Sequence, residues 1–194
     1  MTSPLALLAA ADRSLLLKIN RDWTLPALDA AMPMLTDLHK IAWFKFGVAP
    51  AGLALWLWKG GRRALKVLLV AAVAVAAGDQ LAHRVLKPWI ARPRPSVAGV
   101  PVVMRAPTGG TNGFPSNHAL NAGAAAAVLS VAYPGGTVLF ASGAALIAYS
   151  RVYCGDHYPG DVLGGLLIGL ALGWPWATLM LRDGGAGGRK KKKR

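Results

Sequence analysis

Residues 162–181 read VLGGLLIGLALGWPWATLML, from Val162 to Leu181, without one ionisable side chain. As a helix this run is about 30 Å long, the thickness of a bilayer's hydrocarbon core. Two further apolar runs precede it, Gly136–Tyr149 and Ala119–Tyr133, joined by the tight turn Tyr133-Pro134-Gly135-Gly136. Both are short, and the polar residues flanking them can extend their helices. Upstream again, an Ala/Val-rich run starts near Val67 and ends among Asp79, Gln80 and His83. Its small residues suit close helix packing. Ile41–Trp58 completes the set, with Trp43, Trp56 and Trp58 as interfacial anchors and Lys45 and Pro50 as interruptions. The pattern predicts an all-α integral membrane bundle with about five transmembrane helices.

Residues 5–38 differ in kind. Asp12, Arg13, Lys18, Arg21, Asp22, Asp29 and Asp37 leave no clean span, while Leu15, Leu16, Ile19 and Trp23 recur at helical spacing. The expectation is an N-terminal amphipathic segment of one or two helices lying at the interface, with a short soluble helix pair as the alternative. The apolar stretch Leu5–Ala11 lacks a basic flank and runs into Asp12 and Arg13, unlike a cleavable signal.

Of the 194 residues, 54% are hydrophobic and 15% charged, against about 25% charged in an ordinary soluble domain. Residues 1–181 read as a single membrane-embedded domain and 182–194 as a basic cytoplasmic tail. The net charge of +14 comes from 22 Lys and Arg against 8 acids, all of them Asp. Much of the excess sits at span edges and in Arg189–Arg194, which suits anionic lipid head groups better than nucleic acid. A lone cysteine, Cys154, excludes an internal disulfide and a Cys-based zinc site, and reads as a packed small residue.

Charge also predicts orientation. The basic loop with Lys59, Arg62, Arg63 and Lys66 and the basic tail should both lie inside. The loop 87–115 and the segment 150–161 then reach the same outer face. Each carries unusual chemistry. The first begins Lys87-Pro88-Trp89-Ile90-Ala91-Arg92-Pro93-Arg94-Pro95 and ends Gly113-Phe114-Pro115-Ser116-Asn117-His118. The second holds Ser150-Arg151 and Asp156-His157-Tyr158-Pro159-Gly160-Asp161. Lys87, Arg94 and Arg151 supply cations, and Ser116 stands at a helix start, where free N–H groups favour an anion. This suits a dianionic phosphate. Two histidines can divide attack and proton transfer. Asp161, one helical turn after His157, can accept the Nδ1 proton and leave Nε2 free. Taken singly, each feature has a plainer reading: histidines at a membrane surface are mostly structural, and basic clusters at span edges mostly set topology.

Together the clusters resemble the type 2 phosphatidic acid phosphatase superfamily, the lipid phosphate phosphatases. That pattern is Lys, six residues, Arg-Pro; then Pro-Ser-Gly-His; then Ser-Arg, five residues, His, three residues, Asp. Lys87 to Arg94-Pro95, Pro115-Ser116-Asn117-His118, and Ser150-Arg151 to His157 and Asp161 match it. The resemblance implies a metal-independent phosphatase without cofactor. His157 is the expected nucleophile, forming a phosphohistidine. His118 is the expected acid and then base, with Asp161 orienting His157. Lys87, Arg94, Ser116, Asn117 and Arg151 are the expected phosphate ligands. The absence of Glu agrees, because a carboxylate-built two-metal site would be hard to assemble.

Small size and the interfacial segment resemble bacterial undecaprenyl diphosphate phosphatases, implying an inner-membrane enzyme whose site faces outward. Phosphatidylglycerol phosphate, phosphatidic acid and lipid A stand as alternative substrates, and a lipid phosphotransferase as an alternative reaction. Haloperoxidases share the motifs but are soluble. Asn117 departs from the usual Gly, and Arg92 is left as a lipid head-group contact or a support for the site. Asp156 adds an unexpected negative charge, with Arg92 or Arg105 as its expected partner. Asp79 and Gln80 read as a polar network between spans, His83 as lying beneath the site, and His39 as interfacial.

Overall fold

The computed structural model describes residues 3–181, so the expected basic tail, 182–194, lies outside the described residues. Helix α1 (Pro4–Leu17) starts on Ser3, whose side chain accepts from the Ala6 N–H, and on a proline with its φ already helical. A wider turn, Lys18–Asp22, extends it, and α2 (Pro26–Thr36) follows. These helices bury Leu16, Ile19 and Met32 against Val152, Tyr153, Cys154 and Tyr158. Leu5, Leu7 and Leu8 stay exposed. The N-terminal segment is therefore helical and packs over one end of the bundle.

Phe44–Val48 leads into α3 (Ala49–Leu81), which breaks at Gly61, where φ is 52°. The expected basic loop over 59–66 is thus only this break, since glycine takes that conformation without strain. Arg62, Arg63 and Lys66 are helical, and Arg63 donates to the Ala132 carbonyl. Ala82–Leu86 and α4 (Lys87–Ile90) prolong the rod until Ala91, at φ 48°. Lys87 therefore sits on a helix rather than in the loop where the sequence put it. After the loop come α5 (Asn117–Ala132), α6 (Thr137–Tyr153) and α7 (Pro159–Leu181). Phe44–Ile90 and Pro159–Leu181 are long and apolar enough to cross a membrane, whereas α5 and α6 have 16 and 17 residues.

Small residues lie inside and large ones outside. Leu69, Val73, Val138, Leu139, Leu163, Leu167 and Trp174 are exposed, while Ala74, Ala124, Ala127 and Ala177 are buried. That inversion suits a lipid-facing bundle. Its tightest seam joins α5 to α7. A Cβ on Gly165 would lie 2.6 Å from the Ser116 carbonyl oxygen, and one on Gly173 would lie 2.6 Å from that of Ala124. Between them, a Cβ on Gly169 would collide with the Leu120 carbonyl. Across the seam, Gly123 meets the Leu166 carbonyl in the same way. Backbone packs on backbone, one glycine per turn.

Gly169→Val should force this seam apart, costing about 1–3 kcal/mol or more, and lower the unfolding temperature in detergent. Gly143→Ala, whose Cβ meets nothing within 4 Å, should leave it unchanged. Equal melting temperatures for the two variants would refute the seam.

Candidate active site

The seam brings two distant helix starts together. Ser116, just before α5, donates its N–H to the Asp161 carbonyl in the first turn of α7, at 3.1 Å. The loop 91–116 closes on itself at the same level. Arg94 N–H donates to Thr111 and Gly113 N–H to Arg92, pairing Pro93 with Asn112. Lys87 Nζ ties the loop's end down, donating to the carbonyls of Asn112 and Pro115 at 3.2 and 2.9 Å. Lys87, Arg94, Asn117, His118, Arg151 and His157 then line one cavity of about 470 Å³. The three sequence clusters do meet.

At its floor lies a buried charge cluster. Arg94 and Arg151 are 6% and 4% exposed, and Asp156 is fully buried between them. Asp156 Oδ2 pairs with Arg94 Nη1 at 2.5 Å and with Arg151 Nη2. Its Oδ1 accepts from Thr108 Oγ1 at 2.6 Å. The expected partners, Arg92 and Arg105, are elsewhere: Arg92 is on Asp12 and Asp161, and Arg105 is on Asp29. Burial pushes the Asp156 carboxyl up, but His157, Arg151, Thr108 and Arg94 outweigh it and hold the group below the usual carboxylate range. It is ionised at neutral pH. Arg151 Nη1 also donates to Thr36 Oγ1 of α2 at 2.6 Å.

His157 is 1% exposed. Its Nδ1 faces Asp161 Oδ2 at 3.5 Å, longer than a good hydrogen bond. Its Nε2 lies 2.9 Å from Arg94 Nη1 and 3.2 Å from Asp156 Oδ2. A guanidinium only donates, so the shorter contact, to Arg94, favours a lone pair on Nε2 and the proton on Nδ1, while the Asp156 carboxylate opposes that lone pair. Asp161 is itself held: it accepts from the Tyr158 N–H at 3.1 Å and from Arg92 Nη1 at 2.9 Å. Arg92 stacks 4.1 Å over the Tyr158 ring and reaches Asp12 of α1 with its other nitrogen. Of the two roles the sequence left to Arg92, this is the supporting one.

Ser116 is fully buried, yet among the described residues its Oγ has no partner, and neither have Arg94 Nε and Arg151 Nε. Asn117 turns its side chain away, donating to Asp79 Oδ1 at 2.8 Å and approaching His83 Nε2 at 3.0 Å. Its backbone N–H belongs to the first turn of α5, where such groups lack helical partners. Asn121 also donates to Asp79, so the polar contact between spans runs through asparagines. His83 lines the cavity beside Lys87.

His118 lines the cavity too, with its ring centroid 5.7 Å from that of His39. His39 itself is exposed. Asp37, His39 and His118 offer ligand atoms within 4.8 Å of one another, a spacing open to a metal. Asp37 already carries the Lys40 ammonium at 2.9 Å.

Sequence reasoning missed Thr36, Thr108 and Asp12. None stands in a motif, and only the fold brings Thr36 to Arg151, Asp12 to Arg92 and Thr108 to Asp156. It also missed Asn20, which is buried and bonds Val103 and Tyr153 across the site's edge.

The PAP2 superfamily model matches residues 63–184. A lipid A 4'-phosphatase of Bacteroides thetaiotaomicron is 29% identical, over 71% of this chain and 69% of that protein. The undecaprenyl-diphosphatase BcrC of Bacillus subtilis is 30% identical, over 76% of this chain and 72% of that protein. A crystal structure of a transmembrane PAP2-type phosphatidylglycerolphosphate phosphatase, also from Bacillus subtilis, superposes with a TM-score of 0.64 at 25% identity. It covers 89% of this chain and 86% of that one.

Burial pushes the His157 imidazole below its ordinary value, while Asp161 and Asp156 act to raise it. Asp161→Asn removes a group that favours the protonated ring. In that variant His157 should stay neutral to a lower pH than in the wild type, read by nitrogen-15 histidine NMR in detergent. Protonation at higher pH than in the wild type would contradict the pairing.

Proposed function

The chain belongs to the PAP2 superfamily, and from that premise we propose that it is a membrane phosphatase hydrolysing undecaprenyl diphosphate to undecaprenyl phosphate. One observation carries the phosphatase reading. Among the described residues, three buried donors, Arg94 Nε, Arg151 Nε and Ser116 Oγ, have no protein partner. Unpaired buried donors are costly, and a phosphate's three equatorial oxygens would satisfy them.

His157 Nε2 attacks phosphorus, the bond to the lipid-side oxygen breaks, and the phosphoryl group stays on nitrogen. His118 protonates the departing oxygen. Asp161 keeps the Nδ1 proton in place and stabilises the ring's positive charge as it develops. His118, now without its proton, takes one from water. The resulting hydroxide attacks phosphorus, the P–N bond breaks, and inorganic phosphate leaves. Arg94, Arg151, Lys87, Ser116 and the Asn117 N–H stabilise charge on the transferring group. Cations of the chain do what metal ions do in other phosphatases, so the reaction is metal-independent and cofactor-free.

Undecaprenyl diphosphate is favoured by the N-terminal helices packed at the site's end. BcrC, similar over most of its length, is named for that substrate. A second reading, a lipid A or phosphatidylglycerol phosphate phosphatase, draws equal support from relatives bearing those names. In either case residues 1–181 act as one domain in the bacterial inner membrane, with the cavity facing outward.

Phosphate release from undecaprenyl diphosphate, phosphatidylglycerol phosphate, phosphatidic acid and lipid A should be fastest with the first. His157→Ala and His118→Ala should each lose at least about 10²–10⁴-fold in turnover while melting like the wild type. EDTA should leave the rate unchanged. Substantial turnover by either variant would sink the assignment of roles, and restoration by a divalent metal after EDTA would sink the metal-free mechanism.

A further inference from the structure

The phosphate cradle already holds an anion. Asp156 Oδ2 touches Arg94 Nη1, Arg151 Nη2 and His157 Nε2 at once. A phosphate entering for attack by His157 would need the same two guanidinium groups for its oxygens and would bring phosphorus to Nε2, where the carboxylate now stands. We infer that Asp156 is a specificity-determining residue: its carboxylate occupies the cradle as a resident competitor and is displaced only by a more highly charged phosphate. The inference rests on the reading of the cavity as a phosphate site.

Charge explains why a competitor is there. Arg94 and Arg151 are both buried, and two buried guanidinium groups sharing one neighbour repel each other without an anion between them. Asp156 cancels part of that repulsion while the site is empty. It does so incompletely. One of its oxygens is spent on Thr108, and the Nε atoms of both arginines stay unpaired. A terminal phosphate brings three oxygens and up to two charges, enough to take over the Asp156 contacts and reach the unpaired donors as well. A singly charged group brings no more charge than the carboxylate it must evict.

That difference matters at a membrane surface. Phosphodiester head groups carry one charge and are present in vast excess over any phosphomonoester or diphosphate. An open cradle of buried arginines would bind them. A resident carboxylate turns the exchange against them and weakens the true substrate by a smaller margin. Discrimination of this kind comes from opposing the wrong ligand rather than from improving the right one.

The test measures binding of inorganic phosphate by calorimetry, and inhibition of phosphate release by phosphatidylglycerol in mixed micelles, for the wild type, Asp156→Asn and Thr108→Val. Asp156→Asn should bind phosphate about tenfold tighter or more, because a like-charge opposition is removed. Phosphatidylglycerol, without effect on the wild type, should then inhibit. Thr108→Val, which only loosens the carboxylate, should move both readouts the same way by less. A damaged site would bind phosphate more weakly, so misfolding cannot imitate the result. If the wild type binds phosphate and Asp156→Asn binds it no tighter, or phosphatidylglycerol inhibits neither, the inference fails and the phosphate-site reading stands. If no protein binds phosphate, both fail.

Discussion

The contact on which the rest of the molecule depends is the glycine seam between α5 and α7. Gly165, Gly169 and Gly173 let one backbone lie on the other, and Gly123 answers from the opposite side. Apolar side chains gain little by leaving lipid for protein, so close van der Waals packing must hold such a pair. The seam fixes two helix starts against each other, with Ser116 N–H on the Asp161 carbonyl. Ser116 and His118 ride on one helix start, His157 and Asp161 on the other. Side chains far apart in the chain acquire a fixed relation because two backbones cannot slide.

Upon this frame sits a chain of charges linking the N-terminal helices to the cavity. Asp12 of α1 holds Arg92, and Arg92 holds Asp161. Gly160 N–H also donates to Asp12, so α1 grips the start of α7 directly. Asp29 of α2 binds Arg105 and the Tyr153 hydroxyl, and Thr36 accepts from Arg151. The N-terminal segment therefore works as a wall of the site. Arg92 and Arg105 have carboxylates of their own, while Arg94 and Arg151 share Asp156, which keeps buried charge paired but incompletely so.

The sequence made much of this legible, for physical reasons. Spans show because lipid demands long apolar runs, and the Lys87–Arg94, Ser116–His118 and Arg151–Asp161 clusters show because polar residues crowd between those runs in the spacing of the family they resemble. Asp161 could be placed because it falls one turn from His157 on the same helix start. The break at Gly61 looks like a loop in the sequence because four basic residues resemble one, while a single glycine suffices. Lys87 looks like part of the loop because it opens a polar stretch rich in proline and glycine, although proline is tolerated in a helix's first turn. Thr36, Thr108 and Asp12 were invisible, since nothing local marks a residue whose partner lies across the fold. Asp156 was visible as a charge, but its partners were not. Only the folded chain shows its carboxylate on Arg94 and Arg151.

A covalent phosphoryl group on His157 would leave its mark on the stereochemistry at phosphorus. A lipid substrate whose terminal thiophosphate is made chiral with oxygen isotopes can be hydrolysed in isotopically labelled water, and the product's configuration read by phosphorus NMR. Each in-line displacement inverts phosphorus. Attack by His157 followed by attack by water therefore predicts net retention. Net inversion would mean a single displacement by water, and would remove His157 from its place as nucleophile.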